Sequence, residues 1–137
     1  MIVIADTGAI YALLDRHDSW HERVRAWWGT AQARIVLPHA ILPEVAWLVG
    51  KRLGADAESA FARALAANEF VLEELVAGDF PVIAELVSRY RDLPLGFVDA
   101  SLLAVASRLG SSTILTTDRK HFSVARLPDG GVPRLVP

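Results

Sequence analysis

The chain has 137 residues, 53% of them hydrophobic and none of them cysteine, with a formal charge of −2. That length holds one core and is too short for two, and the composition excludes a disordered chain, a disulfide framework, a thiolate zinc site and a cysteine nucleophile. No apolar run approaches the roughly 18 residues that span a bilayer, and no basic stretch precedes the first apolar residues, so a single soluble, cytoplasmic domain over residues 1–137 with no membrane role is expected.

Ile2-Val3-Ile4-Ala5 is a short β-branched run without polar alternation, the pattern of a strand buried on both faces of a parallel sheet. Asp6 then stands at the strand's carboxyl end, where open α/β sheets bind ligands, although Asp is also a good helix cap. Ala9 to Leu14 reads as a short helix and Asp15-Arg16-His17-Asp18 as a polar break. Ser19 and Glu22 have capping-box spacing ahead of a helix that carries Trp20, Val24, Trp27 and Trp28 and stops near Gly29. Arg34 to Leu37 is the second strand. The segment Ile41 to Leu53 is helical by periodicity, with Pro43 tolerable only in its first turn and Gly54 as its stop.

Asp56 is expected to cap a further helix through Ala67, followed by a brief strand, Phe70 to Leu72. Gly78-Asp79-Phe80-Pro81 opens a helix with Val82, Leu86 and Tyr90 on one side, broken by Asp92-Leu93-Pro94-Leu95-Gly96. Phe97 to Leu109 is one of the clearest helices, with Gly110 past its end. Thr113 to Leu115 is a fourth strand, and the tail around Arg134-Leu135-Val136 supplies a fifth at the edge. Strands alternating with helices predict right-handed crossovers and an α/β fold: a three-layer α/β/α sandwich on a central, mainly parallel sheet of four to five strands.

Crossover geometry then places four acids on one sheet edge. Asp6 and Asp118 end strands, while Glu44 and Asp99 lie in the first turns of helices that run antiparallel to the strands. Glu44 and Asp99 have no basic residue three or four positions away: the neighbours are Ala40, Ile41, Trp47 and Leu48 for the one, and Leu95, Gly96, Leu102 and Leu103 for the other. Helix capping explains any one of these acids, but four like charges on one edge call for a cation. Oxygen-only ligands suit Mg²⁺ or Mn²⁺. Setting the four acids aside leaves 12 acids against 14 bases, 12 of which are Arg, so the negative formal charge does not argue against a phosphate-bearing substrate.

These residues carry a resemblance over essentially the whole chain to PIN-domain ribonucleases of the bacterial VapC toxin type. The matching pieces are Asp6-Thr7-Gly8 after the first strand, Glu44 early in the helix after the second, Asp92-Leu93-Pro94-Leu95-Gly96-Phe97-Val98-Asp99-Ala100, and Thr116-Thr117-Asp118-Arg119-Lys120-His121-Phe122. The resemblance implies a toxin of a toxin–antitoxin system that hydrolyses RNA at a metal site, a homodimer, a VapB-type antitoxin partner and, with it, larger assemblies. It carries the family's four acids to Asp6, Glu44, Asp99 and Asp118 as catalytic metal ligands, and its supporting hydroxyls to Thr116 and Thr7. Gly8 is read as a turn that leaves room for metal and phosphate.

Arg16, Arg23, Arg25, Arg119 and Lys120 are candidate phosphate contacts, each with solvation as the plainer reading. His17 and His21 lack a third ligand for a zinc site. His39 and His121 are read as surface or loop residues rather than bases, and Asp92 as a cap or brace for its loop. The four tryptophans are read as core, except that Trp27 and Trp28 cannot point the same way, so one of them is exposed or covered by a partner. The Trp27 helix and the Ile41 to Leu53 helix are expected to form a groove for an antitoxin segment. Two rivals remain: a PIN-like RNA-binding module without strong catalysis, and a receiver-like Mg²⁺-binding signalling domain, whose acidic pair and late lysine are not matched here.

Overall fold

β1 (Ile2–Ala5) is the middle strand of a five-stranded sheet, as a computed structural model describing residues 1–137 establishes. Its companions are β2 (Arg34–Pro38), β3 (Val71–Glu73), β4 (Thr113–Leu115) and β5 (Arg134–Val136), in the order β3-β2-β1-β4-β5 with every neighbouring pair parallel. Ile4 pairs with Val36 on one side and with Ile114 on the other. Val3, Ile4 and Ala5 are fully buried, which is why the strand reads as an unbroken apolar run.

The helices are α1 (Thr7–Leu14), α2 (His21–Thr30), α3 (Leu42–Leu53), α4 (Ala55–Ala66), α5 (Asp79–Arg89), α6 (Phe97–Arg108) and α7 (Arg119–Val124). The chain steps from β1 to β2 to β3 in one direction, then returns past β1 to β4 and β5. Right-handed connections therefore put α1 to α4 on one face and α5 to α7 on the other, giving the three layers expected. α1 packs against α2 and α3, α3 against α4, and α6 against α5 and the β1–β2 half of the sheet. Ala100 to Ala106 of α6 are all buried, so this helix lies between α5 and the sheet.

Several local expectations are corrected. α1 begins at Thr7 rather than Ala9, because Asp6 itself caps it. The Ser19–Glu22 capping box does not form: α2 starts at His21, and the Asp18 carboxylate accepts the Trp20 N–H at 2.8 Å instead. Asp56 lies in the first turn of α4 and not at its cap, since Gly54, at φ 99°, turns the chain directly from α3 into α4. A 3₁₀ turn, His39–Ile41, precedes α3 and moves its start to Leu42. β3 runs one residue later than expected, and Phe70 instead packs edge-on to Phe61 and Trp28. α7 was not expected, being only six residues long and too short to show a period.

The tryptophans also depart from expectation. Trp47 is 61% exposed, because Val45 and Val49 take the buried face of α3 and residue 47 falls opposite them. Trp27 and Trp28 are both half-buried and straddle the contact with the core, so neither is left exposed. α2 and α3 both pack against α1. The apolar furrow on this face lies between α3 and α4, lined by Leu14, Val49, Leu53, Phe61 and Phe70.

Candidate active site

The carboxyl ends of β1 and β4 define the site. The Asp6 N–H donates to the Leu115 carbonyl at 2.9 Å, extending the sheet by one residue and holding Asp6 where the two strands stop. Asp6 is 6% exposed and serves two purposes: its Oδ1 accepts the Thr7 N–H at 2.6 Å as the cap of α1, and its Oδ2 accepts the Thr116 hydroxyl at 2.7 Å. The same Thr116 oxygen accepts the Asp118 N–H at 2.9 Å. On the other side the Thr7 hydroxyl donates to Glu44 Oε2 at 2.9 Å.

A continuous run of hydrogen bonds thus passes from Glu44 through Thr7, Asp6 and Thr116 to Asp118, and ends on His121. Asp118 caps α7 by accepting the His121 N–H at 3.1 Å, and its Oδ2 lies 2.5 Å from the ring Nδ1 of the same histidine. Asp99, in the first turn of α6, is the one acid of the four with no hydrogen bond to its carboxylate. Its tie to the others is electrostatic.

Burial first, then the charges of Asp99 and Asp118, push the Asp6 carboxyl up to about 7, against the hydrogen bonds from Thr116 and Thr7 that pull it down. Burial and then the Asp118 and Glu44 charges raise Asp99 to about 6, with His121 acting the other way. None of Asp6, Glu44, Asp99 or Asp118 is ion-paired with a lysine or arginine; the sole ionic partner is His121 on Asp118. The edge therefore carries four carboxylates short of positive charge. They are not drawn into a closed cage, for no three His, Asp or Glu side chains stand close enough to share one ion. An open, oxygen-only donor set of this kind suits hard divalent ions, which keep several waters and use one or two carboxylates.

The structure brings Asp6, Glu44, Asp99, Asp118, Thr7 and Thr116 together. Glu44 is exposed, with the Thr7 hydroxyl as the hydrogen-bond donor to its carboxylate. Gly8 lies in the first turn of α1 rather than in a loop turn, and a Cβ there would stand 2.5 Å from the Thr117 hydroxyl oxygen and 4.0 Å from Asp6 Oδ2. Arg16 and Lys120 are exposed and pair with no carboxylate, whereas Arg119 lies over the Trp20 ring and donates to the Pro137 carbonyl. His21 ties α2 to α1 through the Ala12 carbonyl at 2.8 Å, and Asp92 is exposed and braces nothing through its side chain. His121 was missed as a neighbour of the site. Its only local signal is the three-residue spacing from a capping Asp.

A family model for the PIN domain matches residues 3–127, and the chain belongs to that family, within it to the VapC-type ribonucleases. Over 135 residues it is 33% identical to Ribonuclease VapC26 of Mycobacterium tuberculosis, covering 98% of this chain and all of the relative. Among solved structures, VapC20 of Mycobacterium tuberculosis, a Sarcin-Ricin loop cleaving toxin, superposes with a TM-score of 0.75 at 23% identity over 82% of this chain and 86% of that one. VapBC2 from Rickettsia felis, bound to a promoter DNA fragment, gives 0.70 at 15% over 98% and 97%. FitAcB from Neisseria gonorrhoeae gives 0.64 at 20% over 100% and 97%. Membership of this family removes the receiver-like alternative. No helix is long and apolar enough to cross a membrane.

Proposed function

We propose that this VapC-type nuclease is a cytoplasmic toxin that hydrolyses RNA phosphodiester bonds, with Mg²⁺ or Mn²⁺ held by one or two carboxylates at a time from the set Asp6, Glu44, Asp99 and Asp118. The observation that carries the reading is the charge imbalance: four carboxylates meet at one sheet edge, two of them pushed toward neutrality, and no lysine or arginine answers them. When bound, such an ion supplies Lewis acidity toward water and phosphate oxygens.

The chain's own residues supply position. β1 fixes Asp6, and the Thr116 hydroxyl, by donating to one oxygen of Asp6 and accepting from the Asp118 backbone, sets the spacing of two acids at once. Thr7 orients Glu44, which is exposed and would otherwise sample many rotamers. Asp99 accepts no hydrogen bond, so its lone pairs are free for an ion or for a proton. His121 holds Asp118 from behind and donates to it when its Nδ1 carries the proton.

The proposed macromolecular partners are a VapB-type antitoxin and a second copy of this chain. The structural neighbours VapBC2 and FitAcB support the first. The exposed Trp47, with Pro43 and Leu48 beside it, is the surface we assign to the antitoxin.

The test is cleavage of RNA by the purified chain with Mg²⁺, Mn²⁺ or EDTA. Asp6→Asn and Asp99→Asn are each expected to abolish metal-dependent cleavage while leaving the circular dichroism spectrum intact. Full activity in EDTA would overturn the metal site.

A further inference from the structure

Beside the acids, on the β5 side of the same edge, lies a small pocket lined by Trp20, Arg23, Arg119 and Pro137. Its position follows from the fold. Arg119 is the residue after Asp118, and Pro137 follows Val136, whose carbonyl accepts the Thr116 N–H at 2.9 Å. Trp20 comes from the far side of the chain, at the N-terminal end of α2. The Arg23 guanidinium carbon lies 4.9 Å and that of Arg119 5.8 Å from the centre of the one indole ring.

Neither cation pairs with an acidic side chain. Arg23 has Ser19, Trp20, Ala26 and Trp27 at its helical neighbour positions, and it makes no hydrogen bond or ion pair at all. Arg119 has Leu115, Thr116, Phe122 and Ser123 at the corresponding positions, and its only hydrogen bond is to the Pro137 carbonyl. Cation–π contact at an exposed site is weak and leaves the guanidinium N–H groups at the ring edge unused. Two such groups on one rigid aromatic support, one residue from a site read as cutting phosphodiesters, present forks suited to bidentate phosphate binding.

We infer that Trp20, Arg23 and Arg119 form a backbone subsite that grips a phosphate of the RNA strand next to the one being cut. The inference rests on the ribonuclease reading and adds the direction of the strand, which leaves the acids toward β5 rather than toward β3. The subsite contacts phosphate and sugar, so it confers register and not base preference.

Two measurements on the full chain test it. Steady-state cleavage of a single-stranded oligoribonucleotide of mixed sequence should show KM raised about tenfold in Arg23→Gln and in Arg119→Gln, with kcat within twofold of wild type. In the Asp99→Asn background, expected to hold RNA without cutting it, the slope of log affinity against log salt should fall by about 0.7 per arginine removed, the value for one phosphate contact on a single strand. Arg23→Lys, which keeps the charge, should restore the slope. Arg23 is exposed and bonded to nothing, so Arg23→Gln carries the test even where Arg119→Gln lowers the melting temperature. Wild-type KM and wild-type slope in Arg23→Gln would overturn the subsite while leaving the ribonuclease reading intact. Failure of the wild-type chain both to bind and to cleave RNA would overturn the two together.

Discussion

Thr116 is fully buried between two acids that are supposed to repel, and its single hydroxyl both donates to Asp6 and accepts from the Asp118 backbone. Thr116→Val keeps the shape and removes both bonds, leaving a buried carboxylate oxygen unsatisfied. A loss of about 1–3 kcal/mol in the urea unfolding free energy is expected, with Thr116→Ser close to wild type. Asp6 makes a second residue-scale prediction. Its carboxyl is held at about 7 in the folded chain against 3.8 as a free side chain, so between those values the folded state binds more protons than the unfolded state. The stability this contributes is complete below about pH 4 and is lost as pH rises through 7. In EDTA the melting temperature should therefore fall across that window. Mg²⁺ or Mn²⁺ should flatten the decline, because an ion that binds only the folded state stabilises it and replaces the proton. A melting temperature in EDTA that rises from pH 4 to 7 would contradict the burial of Asp6.

At the scale of elements, α6 is held at both ends by different chemistry. Its N-terminal turn presents Asp99 to the site, and its last residue, Arg108, is anchored on the segment between β3 and α5. The Arg108 Nε donates to Asp79 at 2.9 Å, one guanidinium nitrogen pairs with Glu73 at 2.7 Å and another donates to the Glu74 carbonyl at 2.9 Å. Asp79 is 2% exposed and also accepts the Val76 N–H. Removing the arginine leaves a buried carboxylate without its counter-ion, and losses of about 3–5 kcal/mol are typical of that change. Arg108→Met is expected to lower the urea unfolding free energy by an amount of this order, whereas Asp79→Asn combined with Arg108→Met should recover part of it. If the single variant unfolds like wild type, α6 is held by its apolar contacts alone. The element-scale lesson from sequence is uneven. α6 was legible because its apolar run is too long for a strand, is rich in Ala and Leu rather than β-branched residues, and stops at Gly110. α7 was not, because six residues give no period, and the Ser19–Glu22 signature misled because Asp18 reaches the Trp20 N–H first.

For the molecule as a whole, the parallel sheet in the order β3-β2-β1-β4-β5 turns four acids spread over more than a hundred residues into one edge. The exposed Trp47, beside Pro43 and Leu48 near Glu44, sits on the surface assigned to the antitoxin. Trp47→Ala should change stability by less than about 0.5 kcal/mol, as for an exposed position, yet weaken capture of the co-expressed antitoxin. Unaltered capture would move the partner surface elsewhere. What the sequence by itself determined was the layered α/β fold and the shared edge of Asp6, Glu44, Asp99 and Asp118, because hydrophobic periodicity and right-handed crossovers are consequences of local chemistry and chirality. Only the tertiary structure decided that Thr116 joins Asp6 across 110 residues, that His121 holds Asp118, that Glu44 is exposed, and that Arg23 and Arg119 share one indole. Those pairings depend on distances between segments far apart in the chain, and no spacing within a single helix or strand encodes them.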